Sequence, residues 1–273
     1  MRRLRHALAS AAAAALLAAI GLPLVWTIFS SLVPERFLFV DASIFSAPIG
    51  FDHYRALFAE RTFWVPLSNS LVVATATTVL CMTLGTACAY ALARLQFRWK
   101  AFVLALILVV SMFPQISIVS PLYLVLRSLR LINTYPGLIL PYLTFSMPLT
   151  VWLLVGYFRQ LPAEIEEAAL MDGASRLGAL RHVVLPMALP GLSATAILTF
   201  IYCWNEFLFA LSFTLGPERY TVPVAIALFR GQYQVPWGQI LAAAVVSSAP
   251  ILILVLIFQR RIVQGLTSGA VKG

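Results

Sequence analysis

Treating every charged residue and histidine as a boundary leaves six long uncharged stretches, at 7–34, 62–93, 101–126, 131–158, 183–205 and 231–259. Crossing a hydrocarbon core about 30 Å thick takes about 20 mostly apolar residues in a helix, and each stretch is long enough to cross once. In hydrocarbon the backbone must satisfy its own N–H and C=O groups, so such a stretch folds as a helix. The pattern predicts an all-α integral membrane protein with six transmembrane helices. Composition agrees: 61% of residues are hydrophobic and 11% charged, where a water-soluble domain carries about a quarter charged.

The fifth stretch continues past Asn205 and Glu206 into the apolar run 207–215, so its helix is expected to carry both polar residues within the membrane. In the first, Arg2, Arg3 and Arg5 precede an Ala/Leu-rich run, as in a secretory signal. A signal's apolar region is only about 7–15 residues long. This run extends through Ile20, Leu24, Val25, Trp26 and Phe29, which predicts a retained anchor.

The formal net charge of +9 raises the question of nucleic acid. The basic residues fall in short clusters between apolar stretches, with no continuous basic stripe mixed with aromatics, so no nucleic-acid partner is expected. Cys81, Cys88 and Cys203 lie in apolar stretches, where a thiol behaves as a small hydrophobe. His6, His53 and His182 have no Cys or His at zinc-like spacing, so no metal is expected.

Lys and Arg set orientation through the positive-inside rule. With a cytoplasmic N-terminus, the inside holds Arg2, Arg3, Arg5, Arg94, Arg98, Lys100, Arg159, Arg176, Arg181, Arg260, Arg261 and Lys272. The outside holds the smaller set Arg36, Arg55, Arg61, Arg127, Arg130, Arg219 and Arg230. Both termini are therefore expected in the cytoplasm, with Arg127 and Arg130 on a short outer loop standing against the bias. Pro114, Pro121, Pro141, Pro148 and Pro250 interrupt the spans. Breaks of this kind are tolerated in lipid only where neighbouring helices or a wet cavity satisfy the freed carbonyls, which favours a packed bundle with a pathway.

One charged segment, 159–187, interrupts the apolar pattern between the fourth and fifth spans. Pro162 suits a helix start, and Glu164, Glu166 and Glu167 follow where negative charge complements the helix dipole. Asp172 and Gly173 form a stop, because glycine readily takes the left-handed conformation that ends a helix. A second short helix is expected from about Ser175, with Leu177, Leu180 and Val184 on one face. The expectation is a bent pair of short cytoplasmic helices.

Within that segment Glu167, Ala168 and Ala169, then Gly173 after three residues, Val183 after nine more, and Leu185 and Pro186 resemble the EAA signature of permeases in binding-protein-dependent ABC importers. Val183 stands where isoleucine is usual. The resemblance extends to Asn69 and Ser70, to YALAR at 90–94, to WNEFL at 204–208 and to QRRIVQGLTSGAVKG at 259–273. These resemble the group moving di- and oligosaccharides, glycerol phosphate and trehalose. The family resemblance implies a type I ABC importer transmembrane domain at 67–260, after an anchor helix and external loop at 1–66 and before a cytoplasmic tail at 261–273.

It also implies that Glu166, Glu167, Ala168, Ala169, Asp172, Gly173 and Ser175 couple the chain to an ATPase, whose cleft receives the short helix after the glycine. The chain lacks the G-x-x-x-x-G-K-[S/T] phosphate loop; its only lysines, Lys100 and Lys272, lie outside any such motif. It is therefore expected to be no enzyme, to hold no cofactor and to leave ATP to a partner. The implied partners are a second homologous permease subunit, an ATP-binding cassette ATPase dimer and an extracytoplasmic sugar-binding protein, in the cytoplasmic membrane of a bacterium. The tail from Gly265 either reaches the ATPase interface, as in the maltose-type relatives, or frays.

Trp204, Asn205 and Glu206 are the candidates for lining a substrate pathway, since polar groups within spans face the bundle interior and sugar hydroxyls bond amides and carboxylates. Two other classes stay open. A proton-coupled secondary carrier would use Glu206 as its relay, and an intramembrane enzyme would need a Ser/His or metal set that the sequence does not show.

Overall fold

A computed structural model describes residues 2–39, 42–59, 62–229 and 235–267. Among these, every regular element is helical: α1 Arg2–Ser31, α2 Asp52–Ala59, α3 Trp64–Arg94, α4 Lys100–Met112, α5 Gln115–Ser128, α6 Tyr135–Phe158, α7 Ala163–Met171, α8 Arg176–Ala179, α9 Leu185–Trp204, α10 Leu208–Phe213, α11 Val222–Ala227 and α12 Trp237–Thr267. A π turn, Leu180–Val184, joins α8 to α9 without a break, giving one membrane-length helix over Arg176–Trp204.

Five unbroken helices are long and apolar enough to cross a membrane, at Ala9–Ser31, Trp64–Arg94, Tyr135–Phe158, Arg176–Trp204 and Trp237–Gln259. The third stretch, 101–126, differs from a simple span. α4 and α5 meet at 96° across a break at Phe113, where Pro114 disfavours helical geometry in the residue before it. Phe113 is extended there, with ψ 130°. The fifth span also departs from expectation: α9 stops at Trp204, and the chain resumes helix only at Leu208.

The chain forms two compact units, Met1–Trp64 with Ala225–Ala249 and Val65–Val224 with Pro250–Gly273. In the first, Leu16, Leu17, Ile20, Leu24 and Val25 of α1 are exposed, as suits a helix solvated by lipid. The Glu35 carboxylate accepts from the backbone N–H of Trp237 at 2.9 Å and so covers the start of α12. The His53 ring meets the Val33 carbonyl at 2.9 Å, and the Ser31 and Tyr54 hydroxyls meet at 2.7 Å.

In the second unit α6 and α9 pack along their lengths. Lipid tails are as apolar as leucine, so such packing relies on close backbone approach and interhelical hydrogen bonds. Both occur here. The Thr150 and Thr199 hydroxyls meet at 2.9 Å, and the Ser146 hydroxyl meets the Cys203 thiol at 3.2 Å, all buried. Gly191 lies against the Tyr157 ring, leaving no room for a Cβ. Towards the polar segment, the core gathers Tyr90 and Leu92 of α3, Leu154, Val155 and Phe158 of α6, and Leu180, Val184 and Ala188.

Asn69 and Ser70 have a structural role. Asn69 is buried; its amide donates to the carbonyls of Glu218 and Tyr220, both at 3.0 Å, and accepts from the Tyr135 hydroxyl at 2.7 Å. The Ser70 hydroxyl accepts from the Val222 N–H at 2.8 Å. The start of α3 thereby holds the segment before α11.

Candidate coupling element and membrane site

The polar segment between α6 and α9 folds as α7, a sharp bend and α8. Pro162 sits at the cap position, one residue before the helix proper. At the far end, the Ala174 N–H donates to the Ala169 carbonyl at 3.0 Å and the Gly173 N–H to the Leu170 carbonyl at 3.1 Å. This paired closure ends a helix on a left-handed residue, and Gly173 has φ +89°. Asp172 is the cap residue just before it. The Ser175 hydroxyl then accepts from the Gly178 N–H at 3.1 Å, capping α8.

Because α8 runs through the π turn into α9, the second short helix is the protruding end of a span. The expected second short helix thus continues into the fifth span. The buried face also differs, consisting of Ala179, Leu180 and Val184 while Leu177 is 74% exposed. A π turn adds a residue to one helical turn and so breaks the regular stripe on which Leu177 was placed. Met171, 88% exposed, joins Leu177 as an apolar projection from a polar element.

The EAA residues divide by direction. Glu167 and Ala168 are exposed, as are Asp172, Gly173 and Ser175, and Ala169 is half-buried. Glu166 points the other way and is buried. Its Oε1 accepts from the Tyr90 hydroxyl at 2.5 Å, and its Oε2 lies 3.2 Å from Arg94 Nε. That second contact lacks hydrogen-bond alignment, so it is a Coulombic pairing of two nearly buried charges. Arg94 also donates from its terminal nitrogen to the Leu161 carbonyl at 2.8 Å. Tyr90 and Arg94 belong to the YALAR run, whose part here is to clamp the end of α3 to α7. Their spacing of four places both on one helical face, which was the visible sequence clue.

The candidates within the membrane fare differently. Trp204 is buried and stacked on Phe200 with centroids 5.6 Å apart. Asn205 is exposed, one N–H donating to the Ile201 carbonyl at 2.8 Å. Glu206 is buried, its two oxygens accepting from the Phe209 N–H at 2.7 Å and the Ala210 N–H at 3.1 Å. The carboxylate thus caps α10 across the gap after α9, and of the three residues only Asn205 presents its side chain on the surface. Gln115, at the start of α5, donates to the Tyr202 hydroxyl at 2.6 Å; both escaped the sequence reading, although a glutamine directly after Pro114 within an apolar stretch was a legible oddity.

These features define a multi-span helical membrane protein whose fifth span extends into a bent, capped helical projection. The chain belongs to the family of binding-protein-dependent transport system inner membrane components, which matches residues 81–268. It is 46% identical over 254 residues to the trehalose transport system permease protein SugB of Mycobacterium tuberculosis, covering 92% of each chain. It is 40% identical to the trehalose/maltose transport system permease protein MalG of Thermococcus litoralis, covering 92% of this chain and 91% of that one. It is 41% identical to the sulfoquinovosyl glycerol transport system permease protein SmoH of Agrobacterium fabrum, over 96% and 92%. Its fold is similar to a chain of a bacterial ABC transporter involved in the import of alginate, with a TM-score of 0.78, 21% identity and coverage of 94% and 96%.

Proposed function

We propose that this permease forms half of the translocation pathway of an ATP-driven carbohydrate importer, with the bent projection as the handle through which a separate ATPase moves it. The observation that carries this reading is the mechanical continuity of the handle. Its outer helix is the end of α9, its inner helix is clamped to α3 by Tyr90 and Arg94, and the joint between them is fixed by the Gly173 closure and the Ser175 cap. A displacement of the projection is passed to two spans, where a loose loop would absorb it.

The exposed Glu167, Ala168, Asp172, Met171, Leu177 and Ser175 form the face offered to an ATP-binding cassette dimer, which binds ATP itself. On this reading the projection and both termini are cytoplasmic. The tail from Gly265 is proposed to reach the same partner; 265–267 is the last helical turn of α12, and 268–273 lie outside the described residues. A second homologous permease completes the pathway, and an extracytoplasmic binding protein delivers the sugar. The named substrates of the relatives, trehalose, maltose and a glycosylated glycerol, support a di- or oligosaccharide or a small glycoside. A proton-coupled carrier is less well supported, because both oxygens of its proposed relay, Glu206, cap α10.

Cysteines placed at Ala168 and Leu177 in the assembled importer should crosslink to the ATPase, and uptake should persist when the proton gradient is dissipated while ATP remains. Crosslinks only to extracytoplasmic partners, or uptake that stops with the gradient, would overturn the proposal.

A further inference from the structure

Both interruptions in the membrane helices of the second unit come together in space. The α4/α5 break is followed at once by Gln115, and the α9/α10 break is preceded by Tyr202; these two side chains are hydrogen-bonded at 2.6 Å. Between them and α6 lies a cavity of about 470 Å³. Phe145, Leu149 and Trp152 line it from one face of α6, at spacings of four and three. Leu149 and Trp152 are each 38% exposed.

Irregular backbone at membrane depth survives only where protein covers it or where it borders a wet cavity. The α4/α5 break borders this cavity through Phe113 and Gln115, and α9 contributes Tyr202 from its last turn; a wet cavity here would satisfy the second condition. The chemistry of the lining is specific as well. Gln115 donates one N–H to Tyr202 and keeps a second N–H and the carbonyl oxygen, while the Tyr202 hydroxyl keeps its proton to donate. None of these remaining groups has another hydrogen bond among the described residues. Two donors and one acceptor share the cavity with the Trp152 indole, an arrangement suited to a ligand with a hydroxyl edge and an apolar C–H face. A pyranose ring has both. A lipid chain would leave the polar groups unmet, at a cost that disfavours it.

We propose that this groove is a carbohydrate subsite of the translocation pathway, with Gln115 and Tyr202 as hydrogen-bonding groups and Trp152 as the stacking platform. The proposal rests on the carbohydrate-importer reading and adds the residues through which this chain touches its cargo.

The test uses the whole importer in proteoliposomes, with trehalose and maltose as probes. Gln115→Ala is expected to lower uptake about tenfold, the scale of one lost polar contact, Trp152→Leu is expected to lower it by removing the stacking face, and both are expected to change the ratio of trehalose to maltose uptake. Trp152→Tyr keeps an aromatic face and is expected to retain the ratio. A ratio unchanged in both Gln115→Ala and Trp152→Leu overturns the subsite, because a purely structural defect slows both sugars alike. Independently, a cysteine at Leu149 should react with a water-soluble thiol reagent and be protected during sugar uptake. If that cysteine is inert, lipid or the partner permease covers the groove and the proposal fails. An importer that moves no sugar or glycoside at all with the unaltered chain counts against the importer reading, and the Leu149→Cys reaction then still decides whether the groove is wet.

Discussion

The clamp between Glu166, Arg94 and Tyr90 allows an energetic prediction. The two charged side chains are 13% and 8% exposed, in contrast to the Asp52 and Arg55 pair, whose side chains are 81% and 82% exposed at 3.9 Å and which is expected to contribute little. Breaking a buried pair by removing one member costs about 3–5 kcal/mol, since the other charge is left uncompensated. In Glu166→Ala, Arg94 keeps its bond to the Leu161 carbonyl, which places the loss at the lower end. A cost of about 3 kcal/mol shifts the docking of α7 on α3 roughly a hundredfold. Amide hydrogen exchange on the assembled importer in lipid should show α7 losing protection by about that factor, with α6 unchanged. Uptake should fall while ATP hydrolysis continues, because the handle no longer carries α3. Replacing both charges, Arg94→Leu with Glu166→Leu, should recover much of the protection, since apolar replacement of a whole buried pair is often neutral. Unchanged α7 protection in Glu166→Ala, or effects of the two leucine substitutions that simply add, would refute this reasoning.

Three further predictions concern the bend and a loop beside α5. Gly173 has open space around it, so Gly173→Val should act through backbone conformation alone, costing about 1–2 kcal/mol and reducing sugar moved per ATP hydrolysed; Gly173→Asn, which tolerates the left-handed region, should retain more. Ser175→Ala should cost about 1 kcal/mol through the lost cap, read as faster exchange at the Gly178 amide, with Ser175→Asp restoring protection. The Asn133 amide, 2.6 Å from the carboxylate, holds Glu218 below the ordinary carboxylate range. A lowered value means the tie is complete above the ordinary carboxylate pKa and is lost as pH falls through the lowered one. Asn133→Ala should move the Glu218 titration upward, measured by NMR of a labelled carboxylate.

How much of this was legible in the sequence depended on the range of the interaction involved. Uncharged stretches report directly on a solvent that rejects charge, so the spans emerged from counting. The Gly173 stop and the Ser175 start were legible because their bonds close within a few residues. Glu166 was not legible in its detail: it shares its sequence neighbourhood with Glu167, and only the fold reveals that it turns inward to residues 76 and 72 positions away. The capping role of Glu206 was hidden for a related reason. A carboxylate within a span suggested a pathway, whereas its partners are backbone N–H groups three and four residues ahead, present only because the helix stops at Trp204. The break at Phe113 was foreshadowed by Pro114, but a proline alone does not set a 96° turn; that needs packing on both sides.

The distribution of continuity and interruption along α9 bears on how the permease works. At one end the helix passes through a π turn into the projection with its hydrogen bonding sustained, and at the other it stops beside the second break, where Tyr202 meets Gln115. A rigid rod transmits displacement along its length, and hinge motion is absorbed where regular hydrogen bonding ends. Under the proposed coupling, a push on the projection would be delivered most effectively to the end of α9 that borders the groove, with the flanking breaks yielding. The two polar features that the sequence placed far apart flank one helix: the EAA bend adjoins its start at Arg176, and Asn205 and Glu206 follow its end at Trp204. On this mechanism, inserting a single glycine into α9 midway between them should separate ATP hydrolysis from uptake, while a change of equal size in the loop between α5 and α6 should not.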